Sequence, residues 1–95
     1  MATYAGVGSF VPAGSVKTIH AGRGSVLKII ASGGGSRPVA LHDGSNVSAS
    51  VLFRLHVPAG GIADLEFPEG FPLRFSTGLT VDAGDCDVSL IVVGT

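Results

Sequence analysis

Val51-Leu52-Phe53-Arg54-Leu55-His56-Val57 puts Val51, Phe53, Leu55 and Val57 on one side of an extended chain and Arg54 and His56 on the other. A repeat of two is that of a strand with one face in a core and one in water. The same reading extends along the chain. Leu27 and Ile29 point inward with Lys28 outward, Val39 and Leu41 inward with His42 outward, and Leu79 and Val81 inward with Asp82 outward. The last stretch differs: Cys86, Val88, Leu90 and Val92 share one face, but Ile91 and Val93 make the other face apolar too. Such a strand is central in its sheet or covered by a neighbouring subunit.

Gly accounts for 15 of 95 residues, about twice the usual ~7%, and with five Pro it breaks the chain at short intervals. Strands are expected at residues 16–20, 25–32, 38–43, 51–57, 63–67, 73–75, 79–83 and 86–93, with a possible short one at 9–12. No interval holds a helix of three turns. About eight short strands predict an all-β fold, a two-sheet antiparallel sandwich of jelly-roll or Greek-key type. Residues 16–95 form this single domain. Residues 1–15, rich in Gly and Ala, read as an N-terminal arm carrying isolated apolar groups at Tyr4, Val7, Phe10 and Val11.

Only 14% of residues are charged, against about 25% in an average soluble domain, while 45% are hydrophobic. So little charge leaves apolar surface for a partner to cover. The six basic residues stand singly, the net charge is -1, and no basic stripe suggests nucleic acid. No apolar run approaches the ~18 residues of a membrane helix, and Met1-Ala2-Thr3-Tyr4 does not begin a secretory leader. Cys86 is the one cysteine, and its place in the apolar repeat predicts a buried, inert thiol.

The chemical motifs are weak. Gly33-Gly34-Gly35-Ser36 follows a strand but lacks the Lys and the helix of a phosphate loop, so a flexible turn is expected. His20, His42 and His56 fall near strand ends or on outward faces, which gives no convergent metal site. No Gly-x-Ser-x-Gly elbow is present, and Asp85 and Asp87 lack a calcium-loop pattern. The expectation is a protein that is not an enzyme, with no cofactor and no metal.

Pro38-Val39-Ala40-Leu41-His42-Asp43-Gly44, the strand from Val51 to Pro58, Phe75-Ser76-Thr77-Gly78-Leu79-Thr80-Val81 and the closing Asp87-Val88-Ser89-Leu90-Ile91-Val92-Val93 form a series. It resembles small β-sandwich structural proteins of tailed bacteriophages over roughly residues 27–93; His42 stands where Tyr is commoner in that group. The resemblance implies a virion component, a capsid decoration or cement protein on the outer capsid surface, with the major capsid protein and itself as partners. A homotrimer suits three-fold sites of a shell. Candidate interface residues are Tyr4, Phe10, Val11, Phe71, Ile91 and Val93. The alternatives are a glycan-binding β-sandwich, which the lack of Trp disfavours, and a fibre, tail or connector component.

Overall fold

The computed structural model describes residues 7–68 and 73–94. They form nine strands and no helix: β1 (Val7–Val11), β2 (Val16–Ala21), β3 (Gly24–Gly33), β4 (Val39–Asp43), β5 (Ser50–Leu55), β6 (Gly61–Glu66), β7 (Leu73–Phe75), β8 (Gly78–Asp82) and β9 (Cys86–Gly94). One sheet has the order β1-β9-β3-β6, with β7 also paired to β3; the other has the order β2-β8-β4-β5. The expected two-sheet sandwich is therefore the fold.

Its topology is that of one long antiparallel ribbon. β1 lies beside β9, β2 beside β8, β3 beside β6 and β7, and β4 beside β5. Wrapping the ribbon brings β9 against β3 and β8 against β4, which makes two sheets from one ribbon and gives a jelly roll. β6 and β7 share one edge of β3, so they serve as one strand broken in the middle.

The core lies between the sheets. Val26, Ile29, Ala31, Val39, Leu41, Leu79, Val81, Cys86 and Val88 are wholly enclosed. β9 is central in its sheet, flanked by β1 and β3, and its second apolar face, with Ile91 and Val93, is turned outward and half-buried.

Two placements depart from the alternation expected of the sequence, and two more from its other expectations. In β5 a register shift sets Phe53 opposite Leu41 but Val51 opposite His42. Leu52 is the extra residue and packs against the core, while Val51 faces solvent at 43% exposure. In β3 a second shift leaves Leu27 without a partner on β9, so Val26 rather than Leu27 is enclosed beside Ile29. A β-bulge adds one residue and switches every side chain beyond it to the opposite face, which simple alternation does not anticipate.

His42 does lie on the outer face of its sheet, yet it is buried. The turn after β4 folds back over it, and Ala49 O lies 3.0 Å from His42 Nδ1. Finally, the arm expected over residues 1–15 is, from Val7 onward, part of the sandwich. β1 pairs along β9 from Val7↔Val92 to Val11↔Val88. Ala13 N–H donates to Asp87 Oδ1 at 2.9 Å and Gly14 N–H to Gly84 O at 2.8 Å, fastening the segment that follows.

Candidate interaction surface

The polar residues that draw attention in the sequence are occupied in holding the chain together. The run Gly33-Gly34-Gly35 is a crossing point of three segments, and so differs from the flexible turn expected. Gly34 N–H donates to Asp85 O at 3.2 Å and Gly35 N–H to Val57 O at 3.2 Å. A side chain on Gly34 would run into the carbonyls of Val57 and Pro58, and its φ of +85° is one that L residues rarely adopt. These N–H groups are thus taken up by carbonyls and turned away from any phosphate.

The acidic residues act as clips. Asp85 accepts from Arg37 N at 2.9 Å and Arg37 Nε at 3.0 Å, and these donors hold its carboxyl below the usual range. Asp82 accepts from Gly84 N at 3.0 Å. Asp43 receives the backbone and side-chain donors of Ser76 and Thr77, and the two N–H groups push its carboxyl far below the ordinary value. Charge-assisted bonds of this kind tie loops together at both ends of the sandwich, Asp85 at one and Asp43 at the other. His20 stacks edge-on against Phe75 at 5.4 Å, and His56 is exposed. Among the described residues no three His, Cys, Asp or Glu side chains gather to hold a metal. Cys86 is fully buried.

Apolar surface collects instead on the outer face of the five-stranded sheet. The register sets Gly8, Ile91, Lys28 and Glu66 in one row across it, and Phe10, Ser89, Ile30 and Asp64 in the next. Phe10 is 53% exposed and Ile30 36%. Together with half-buried Ile91 they line a shallow groove, whose floor is open at Gly8 because no side chain fills the space there. Ile62, paired with Ser32 on the same face, is 75% exposed. Lys28 and Asp64, 3.7 Å apart, form the polar margin.

Of the residues expected to form an interface, Phe10 and Ile91 meet on this face. Val93 is half-buried further along the same strand, on the row of Ser25 and Arg74. Val11 does not belong there. It points between the sheets and is wholly enclosed, because neighbours in a strand face opposite ways. Tyr4 and Phe71 lie outside the described residues. Ile30 and Ile62 were not expected. The adjacent pair Ile29-Ile30 carried the signal, since two bulky apolar residues in succession must place one on each face.

Comparison with known proteins yields no relative: no family model matches the chain, and no curated protein and no solved structure matches it.

Proposed function

We propose that the protein is a virion structural component, a decoration or cement protein that sits as a homotrimer on the outer surface of a phage head and bridges subunits of the major capsid protein. The observation that carries this reading is the outer face of the five-stranded sheet, where Phe10, Ile30 and Ile62 stand out of a surface poor in charge. Large side chains of this kind grouped on one face favour a protein partner, because covering them releases ordered water and adds dispersion contacts.

The jelly roll suits the task for a mechanical reason. Each strand is held in a ladder, and loops at the two opposite ends of the sandwich are clipped by Asp43 and by Asp85, so the apolar face is presented on a rigid frame. A preorganised face loses little entropy on docking. On a regular shell, weak contacts made at several points multiply through effective concentration, and no chemical step is needed.

The test is co-sedimentation with shells assembled from the major capsid protein encoded alongside this chain, with the solution mass measured by light scattering. Saturable binding that Phe10→Asp abolishes is the expected result. A chain that stays in the supernatant at saturating shell concentration would remove the reading.

A further inference from the structure

The two long sides of the sandwich are bounded by edge strands, β1 with β2 on one and β5 with β6 on the other, and it is the second side that leaves its apolar residues partly uncovered. On that side run β5, at one end of its sheet, and β6, at one end of the other. Among the described residues β5 pairs with β4 alone and β6 with β3 alone, so each presents an unpaired backbone edge. The inward side chains beside these edges are incompletely covered. Leu52, Phe53 and Leu55 on β5 and Ala63 and Leu65 on β6 pack against the core but remain half-buried, whereas Ile29, Leu41, Leu79 and Val81 deeper in are wholly enclosed. Phe53 and Phe67 meet edge-on at 5.9 Å on this side, and both remain half-buried.

The two edges carry opposite charge. β5 places Arg54 on the outer face of its sheet, while β6 places Asp64, which also faces Lys28 of its own sheet, and Glu66 on the outer face of the other. We propose that a second copy of this chain covers this side, with the β6 edge of one copy lying antiparallel to the β5 edge of the next. This inference rests on the reading that the protein assembles with itself, and it names the surface. In the register that sets Asp64 opposite Arg54, Ala63 falls beside Leu55 and Leu65 beside Phe53, so the half-covered apolar residues of both copies continue into one core. The alternative, β5 on β5 and β6 on β6, would put Arg54 against Arg54 and Asp64 against Asp64, and like charges directly opposite are unfavourable.

An axis parallel to the strands makes the β6-to-β5 contact at every step and closes into a ring, with these sides turned toward the axis and every β5 and β6 edge paired. A homotrimer satisfies this arrangement. The groove of Phe10, Ile30 and Ile91 lies on the outer face of the same sheet, where Ile30 is the direct neighbour of Asp64, and its β9 and β1 side is left for another partner.

The experiment is a charge-reversal cycle read by light scattering over a hundredfold range of concentration, with circular dichroism as the check on folding. Arg54→Asp alone and Asp64→Arg alone are each expected to raise the dissociation midpoint by about tenfold or more, and the two together in one chain to restore the parent value. Both sites are exposed, so the fold is expected to survive. If either reversal disturbs it, Arg54→Gln and Asp64→Asn test the same contact with smaller expected shifts. An oligomeric parent chain whose midpoint neither reversal moves would overturn this interface while leaving self-assembly standing. Two weakened single variants without rescue in the double would overturn the Asp64 to Arg54 register. A parent chain monomeric throughout would defeat self-assembly and this inference with it.

Discussion

Thr77 holds Asp43 twice through the same oxygen, donating its backbone N–H to Oδ1 at 2.8 Å and its hydroxyl at 3.0 Å. Ser76 does likewise to Oδ2, with its N–H at 3.0 Å and its Oγ at 2.8 Å. One carboxylate therefore fixes the turn between β7 and β8 to the end of β4, joining the two sheets at one end of the sandwich.

Asp43 makes stability depend on acid in a defined direction. Its folded pKa is depressed, so the unfolded chain takes up the proton more readily and the stabilisation is full above the unfolded value of about 3.9. It is lost as pH falls from there toward the folded value. Asp43→Asn is expected to lower stability at neutral pH by about 1 kcal/mol, discounted for partial exposure. Urea unfolding at several pH values should then show a shallower acid slope than the parent. The slope will not vanish, since the Asp85 carboxyl is depressed in the same direction.

Phe10 and Val11 are neighbours with opposite roles, and substitution should separate them. Val11→Ala removes enclosed methyl groups and is expected to cost about 2 kcal/mol in thermal or urea unfolding. Phe10→Asp should leave the unfolding midpoint within about 0.5 kcal/mol of the parent, since its side chain is half in solvent. Its effect belongs in shell binding.

The bulge in β5 makes a prediction opposite to simple alternation. Val51→Thr, on the exposed side, is expected to change stability by less than about 0.5 kcal/mol, while Leu52→Ala should cost about 2 kcal/mol. Urea denaturation of the two variants checks the order, and the reverse order would place the bulge elsewhere.

Gly34→Ala is expected to destabilise by about 3 kcal/mol, because the new methyl group meets two carbonyls and the backbone keeps a positive φ. Loss of thermal midpoint measures it. A tolerated substitution would show that the crossing at Val57 and Pro58 has room to move.

The all-β class, the two-sheet sandwich and most of its core were legible in the sequence, because a period of two and frequent Gly and Pro act locally, residue by residue. Leu79, Val81, Cys86, Val88, Leu90 and Val92 lie inward as their alternation requires. Pairing between distant segments is not local, and it decided the rest. The bulges at Leu27 and Leu52 arise from how two strands meet, and they move side chains from one face to the other without any mark in the pattern itself. Residues 7–11 look too poor in apolar groups to fold alone, and they are ordered as a strand by the free edge of β9, which begins 75 residues later in the chain at Cys86 if counted from Val11. Amino-acid order thus determined which faces seek a core. Which strands lie at the edges, and so which apolar groups stay partly uncovered at β5 and β6, was decided by the wrapping of the ribbon, since an edge exists only where no further strand arrives to bond it.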